Sequence, residues 1–149
     1  MEKGEGIDLA KKYNVSCYPT YLFIDGDGQL LHRVSSSMQT KEFIELGKDA
    51  MTPGKQFAVH QKKYESGTST ADEMAAYILM RGRTCMPVKD EMEKYFVTQK
   101  DADLTNQRNW DILLENSYNL NVNSREFKYL VTHRGEYETK YTQAAVESV

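Results

Sequence analysis

Apolar and polar residues along the first fifty positions predict two helices that flank a β-hairpin. The predicted elements are a helix at 5–14, strands at 20–24 and 29–34, and a helix from Thr40 to about Met51. The two strands are joined by Asp25-Gly-Asp-Gly28, and a short Gly/Asp connection of this kind favours a hairpin turn. In the second helix, Phe43, Ile44 and Leu46 are expected to face inward.

After residue 54 the pattern is helical, and no run of residues predicts a strand. Further helices are predicted at 55–66, 70–81, 88–98, 105–117 and from Ser124 onward. Thr70 and Glu73 have the spacing of a capping box, and Pro87 suits a helix start. The predicted fold class is therefore α+β: a helix–hairpin–helix unit at 1–51, then a helical domain at 55–149 built as an array of short antiparallel helices.

Composition excludes several functional classes. The chain has 149 residues, of which 40% are hydrophobic and 28% charged, with a net charge of −3. An acidic balance of this size does not favour a nucleic-acid partner, which would require a basic face. No apolar run approaches 18 residues, so no membrane span is expected. Residues 1–6 lack the apolar segment of a signal peptide, and the residues themselves indicate no localisation.

The residues that bind metals or carry redox chemistry are few and scattered. Cys17, Cys85 and the three histidines form neither a Cys-x-x-Cys pair nor a His/Cys cluster with metal-ligand spacing. We therefore expect no metal site, no cofactor and no catalytic residue in this chain. His32, beside Arg33 on a predicted strand, is expected at the surface or at the sheet edge.

Four segments, in order along residues 4–50, carry the most specific pattern. They are Lys12-Tyr-Asn-Val15, Tyr18-Pro-Thr20, the hairpin turn at 25–28, and Phe43-Ile-Glu-Leu46. This arrangement resembles the C-terminal part of the thioredoxin-like superfamily. The resemblance implies a cis peptide bond between Tyr18 and Pro19 and a loop, Tyr18-Pro19-Thr20, that faces a polypeptide substrate. On the residues alone, the same loop could simply shape a turn into the strand.

The resemblance also shows what is missing. In that family the redox dithiol is a Cys-x-x-Cys at the start of a helix that precedes the matched part, and this chain has none. We therefore expect a fragment of a thiol–disulfide oxidoreductase or disulfide isomerase that is itself inactive. The helical remainder is similar to extensions of some exported bacterial thioredoxin-family proteins, which implies a periplasmic or exported parent. The alternative function is a non-catalytic helical module that binds protein partners.

Both cysteines are expected to be structural. Cys17 lies two residues before Pro19, and the alternative role for it is a reactive thiol near the loop. A Cys17–Cys85 disulfide would require the helical part to fold back on the hairpin, and it is not expected. The free edge of the strand at 20–24 is the expected site of self-association, because an unpaired strand edge is a template for another chain.

Overall fold

The computed structural model describes residues 4–149, which form a mixed α+β fold that is mostly helical. Within this range there are nine α-helices and one two-stranded antiparallel sheet. The elements are α1 (Glu5–Lys12), β1 (Thr20–Ile24), β2 (Leu30–Ser35), α2 (Thr40–Ala50), α3 (Phe57–Glu65), α4 (Ala71–Gly82), α5 (Lys89–Val97), α6 (Gln107–Glu115), α7 (Arg125–Thr132), α8 (Arg134–Tyr141) and α9 (Gln143–Glu147). The α+β class, the order helix, strand, strand, helix, and the helical character of residues 55–149 are confirmed.

The hairpin turn is stabilised by its own residues. The Asp25 carboxylate accepts the N–H groups of Asp27 and Gln29, at 3.0 and 2.8 Å. Gly28 has φ 77°, in the left-handed region that glycine adopts without steric cost. The strands pair from Thr20 opposite Ser35, and an irregularity after Phe23 shifts the register before the turn. The turn predicted from the Gly/Asp sequence is therefore confirmed.

Helix α2 differs from the prediction at its start and along its inner face. The residue preceding the helix is Gln39 rather than Thr40, and its N–H donates to the Glu42 carboxylate at 2.8 Å. Leu46 is buried, but Phe43 and Ile44 are 43% and 53% exposed. Phe43 nevertheless faces the hairpin, because its ring centroid lies 5.2 Å from that of Tyr21 and 6.4 Å from that of Phe23. The expectation of an inward side chain is wrong for Ile44, because two strands of five and six residues offer only a narrow surface for a helix to cover.

Contacts along the chain divide it into two units. The first extends to Ser69 and also takes in Arg83–Met86, while the second comprises Thr70–Gly82 and Pro87–Val149. Helix α3 packs against β2, so the predicted division near residue 52 falls inside the first unit.

The second unit has a core rich in aromatic residues. Trp110 stacks on Tyr141 with ring centroids 4.8 Å apart, and its centroid lies 5.7 Å from that of Tyr137. Tyr137 is fully buried and donates its hydroxyl to the Leu104 carbonyl at 2.9 Å. Burial raises the pKa of this phenol, so the hydroxyl remains protonated and can donate. Trp110 therefore belongs to the helix–helix core.

Capping residues fix the starts of three helices in this unit. Thr70 and Glu73 form the predicted reciprocal box, with hydrogen bonds of 3.2 and 2.9 Å. Ser124 accepts the N–H of Phe127 at 3.2 Å. Helix α6 is capped by Asn106, one residue after the predicted start at Thr105. Among residues 4–149, no helix has both the length and the apolar character needed to cross a bilayer.

Candidate functional site

The loop predicted from Tyr18-Pro19-Thr20 lies at the entry to β1. The Tyr18–Pro19 peptide bond is cis, as the resemblance implies. Tyr18 is 58% exposed, and Pro19 is exposed as well. The Thr20 hydroxyl donates to the Cys17 carbonyl at 2.6 Å and lies 2.5 Å from the Ser35 hydroxyl, which therefore donates to it. Thr20 thus ties the loop to itself and to β2, and Tyr18 remains directed to solvent.

The main chain at this loop has unused hydrogen-bonding capacity. Within residues 4–149, neither the N–H nor the carbonyl of Tyr18 has a hydrogen-bond partner. The sheet of the described residues has only two strands, so the outer edge of β1 is also unpaired. Exposed, unpaired main-chain groups next to a strand edge can accept an additional extended segment.

The two cysteines are joined, contrary to the sequence-based expectation. Cys17 Sγ is bonded to Cys85 Sγ, and neither is a free thiol. The chain leaves the first unit after Ser69 and returns to it at Arg83–Met86, which brings Cys85 to Cys17 across 68 positions. The expectation that no Cys17–Cys85 disulfide forms is therefore wrong. Sequence patterns that extend over a few positions do not indicate which segments meet when the residues are 68 positions apart.

His32, for which the sequence predicts a place at the surface or at the sheet edge, lies on β2 of the two-stranded sheet but is only 4% exposed. Its Nδ1 accepts the N–H of Phe57 at 3.1 Å, at the start of α3, where the first N–H groups of a helix cannot bond within the helix itself. Burial lowers the pKa of His32, His60 lowers it further, and Asp49 opposes the shift. The neutral ring, with its proton on Nε2, is therefore the form that holds α3 to β2.

Arg33 performs a similar task at the end of α1. Its side chain is 2% exposed, and its Nη1 and Nη2 donate to the carbonyls of Tyr13 and Asn14 at 2.9 and 3.2 Å. A guanidinium at the C-terminal end of a helix satisfies carbonyls and complements the negative end of the helix dipole. His32 and Arg33 thus position two helices around β2. The sequence signal for both was a polar pair within a short strand between two predicted helices.

A groove of about 360 Å³ runs along this part of the first unit. Its apolar and charged wall includes Tyr13, Leu30, Arg33, Phe57 and Met86. The Tyr13 hydroxyl donates to the Gly28 carbonyl at 2.9 Å and so joins α1 to the hairpin turn. Met86 enters this wall from the returning segment 83–86.

Among the described residues 4–149, no cluster of three or more His, Cys, Asp or Glu side chains gathers in a way that would hold a metal ion.

Comparison with protein-family models, curated proteins and solved structures finds no match to this chain.

Proposed function

We propose that residues 4–50 belong to a thioredoxin-like thiol–disulfide oxidoreductase and that the loop Tyr18-Pro19-Thr20 holds an extended polypeptide substrate. The observation that carries this proposal is the exposed Tyr18, whose main chain is unbonded beside the unpaired edge of β1. A docked peptide would hydrogen-bond to these main-chain groups, as in β-augmentation.

The side chains of the loop suit this role. The Thr20 hydroxyl holds the loop through Cys17 and Ser35, and a loop fixed before binding loses less conformational entropy when a ligand docks. The Tyr18 ring offers a large contact surface with few rotatable bonds. The chain contains no Cys-x-x-Cys, so under this proposal it binds substrate and the redox dithiol is supplied by another part of the parent protein.

A second candidate function is protein binding by the helical unit. A groove of about 430 Å³ is lined by residues of α5 and α7 and the loop before α7. Val97, at the end of α5, lines this groove and is 83% exposed, and Val122, which lies in the chain between the lining residues Asn121 and Ser124, is 63% exposed. Exposed apolar side chains beside a groove are typical of partner-binding surfaces.

A binding titration distinguishes the two candidates. The probe is a dye-labelled, extended peptide with alternating apolar residues and no cysteine, and the readout is fluorescence anisotropy on the full chain. We expect Tyr18→Ala to weaken binding about tenfold, equivalent to about 1.4 kcal/mol for an exposed aromatic contact. Tyr118→Ala is the matched control, because Tyr118 is a similarly exposed tyrosine, at 69%, in the other unit.

Unchanged affinity in Tyr18→Ala would contradict the loop as the docking site. Loss of binding in Val97→Asp, with Tyr18→Ala unaffected, would favour the helical groove instead. The thioredoxin-like parentage has its own test, which is to read the coding sequence upstream of Met1. A Cys-x-x-Cys encoded there supports an oxidoreductase parent, and an upstream sequence without one favours the interaction module.

A further inference from the structure

We infer that the groove between α5 and α7 binds a polypeptide segment of a partner protein that presents an arginine beside an apolar side chain, and that the guanidinium pairs with the carboxylate of Glu126. We call this space, of about 430 Å³, the α5–α7 groove. This binding deepens the second candidate function and rests on it, and it does not involve the loop at Tyr18.

Glu126 is a buried acidic residue without a partner in the described part of the chain. The residue is 7% exposed, and it lines the α5–α7 groove. Among residues 4–149, no hydrogen bond and no ion pair reaches its carboxylate. An acidic side chain is almost never buried to this extent unless it is paired, because its removal from water costs free energy. A cation that enters the groove supplies the missing pair.

The position of Glu126 in its helix offsets part of this cost. Glu126 lies in the first turn of α7, where the positive end of the helix dipole favours a carboxylate. The dipole stabilises the charge but leaves the carboxylate oxygens without hydrogen-bond donors. They therefore keep their capacity to accept hydrogen bonds from a ligand.

The charges that line the groove favour a cationic ligand. Glu93, on α5, is a second acidic residue of the lining, and it is exposed and has no ion-pair partner among the described residues. Arg125 also lines the groove, but its Nη2 donates to the carbonyls of Phe96 and Gln99, at 2.8 and 2.6 Å. Its Nη1 lies 3.6 Å from the Asp101 carboxylate. Other groups thus hold the guanidinium of Arg125, and two carboxylates of the lining remain for a ligand.

The apolar part of the lining selects the neighbour of the cation. Phe96 is buried and Val97 is 83% exposed, and both line the groove. An apolar side chain that covers Val97 removes the surface of both from water, which is favourable.

The buried carboxylate favours arginine over lysine as the cation. The planar guanidinium donates two parallel hydrogen bonds to a carboxylate, and it is more weakly hydrated than an ammonium group, so it loses less when it leaves water. The groove is therefore complementary to an arginine that has an apolar neighbour.

Two peptides that differ only in charge test the pairing with Glu126. The probe is a dye-labelled peptide, acetylated and amidated at its ends, with one arginine flanked by leucines, and its match carries citrulline, the neutral isostere of arginine. Fluorescence anisotropy measures the binding of both peptides to the full chain. We expect the arginine peptide to bind at least about tenfold more tightly than the citrulline peptide, and Glu126→Gln to remove this difference.

Glu136→Gln is the matched control. Glu136 is an exposed acidic residue in the first turn of α8, and it is not among the residues that line the groove. This variant should keep the preference for the arginine peptide. Urea unfolding followed by the fluorescence of Trp110 checks that Glu126→Gln is folded, and the comparison of the two peptides on the wild-type chain needs no variant.

Val97→Ala separates the arginine contact from binding by the groove as a whole. It should weaken the binding of both peptides by the same factor, about threefold, because it removes apolar surface and no charge. If Val97→Ala has this effect but the two peptides bind the wild-type chain equally, the second candidate function stands and the arginine contact is overturned. A preference for arginine that persists in Glu126→Gln overturns the contact as well.

Binding that is weakened by Tyr18→Ala and unaffected by Val97→Ala and Glu126→Gln would assign the peptide to the loop, against both the arginine contact and the second candidate function. Absence of measurable binding of the arginine peptide to the wild-type chain would overturn the arginine contact.

Discussion

Replacing Cys17 and Cys85 by serine removes a cross-link between residues 68 positions apart. In the chain-entropy model, opening a loop of this length costs about 4 kcal/mol of stability at 25 °C, because the unfolded chain regains the freedom that the cross-link denied it. Cys85 is exposed and Cys17 half-buried, so the change of side chain itself adds little. The free energy of unfolding of a native protein is typically about 5–15 kcal/mol, so this loss is a large fraction of it. With a urea slope of about 2 kcal/mol per molar, the midpoint should fall by about 2 M.

The assay must distinguish the two units. Unfolding of the hairpin is followed in urea by hydrogen exchange of the peptide 13–33, and the second unit is followed by fluorescence of Trp110, the chain's one tryptophan. Both cysteines belong to the first unit, so only unfolding of that unit lets the cross-linked positions separate. We therefore expect the hairpin midpoint to fall and the Trp110 transition to move by less than about 0.5 kcal/mol.

Reduced wild-type protein supplies the control for this prediction. It contains the same backbone without the cross-link, so it should unfold at the midpoint of the double serine variant. An unchanged hairpin midpoint in the variant would refute the entropy argument. A lower midpoint in the variant alone, with the reduced wild type unaffected, would attribute the loss to the serine side chains instead.

Three further predictions use other features of the fold. Gly82→Ala should destabilise the second unit by about 1–3 kcal/mol, because the new Cβ would overlap the Asn116 side chain, whereas Gly135→Ala meets no atom within 4 Å and should stabilise the unit by up to about 1 kcal/mol. Urea unfolding followed by tryptophan fluorescence measures both variants, and a Gly82→Ala variant more stable than Gly135→Ala would contradict the prediction. The unfolding free energy should fall as the pH drops below the ordinary histidine pKa of 6.5, because burial lowers the pKa of His32 and the unfolded chain then binds its proton more readily. In urea unfolding at a series of pH values, the unfolding free energy of His32→Gln should depend less steeply on pH than that of the wild type, and an equal dependence would count against this. The unpaired edge at 20–24 should support self-association, which sedimentation over a range of concentrations would disprove if the chain remained a monomer.

The sequence determined the features that depend on neighbours within a few positions. The turn at 25–28 is closed by bonds from Asp25 to residues two and four positions away, so the Gly/Asp pattern was sufficient to predict it. The capping pair at Thr70 and Glu73 and the cap at Ser124 span three positions each. The segment from Tyr18 to Thr20 was recognised as a loop because the residue types and their order within three positions carry the resemblance.

The tertiary structure decided the features that join distant positions. The disulfide joins two residues 68 positions apart. His32 is hydrogen-bonded to Phe57, which lies 25 positions later, and Arg33 to Tyr13, which lies 20 positions earlier. A hydrophobic pattern states which face of an element is apolar but not which other element will cover it. The burial of a polar pair, the oxidation of two cysteines and the exposure of Tyr18 all follow from which segments meet, and that is set by packing of the whole chain.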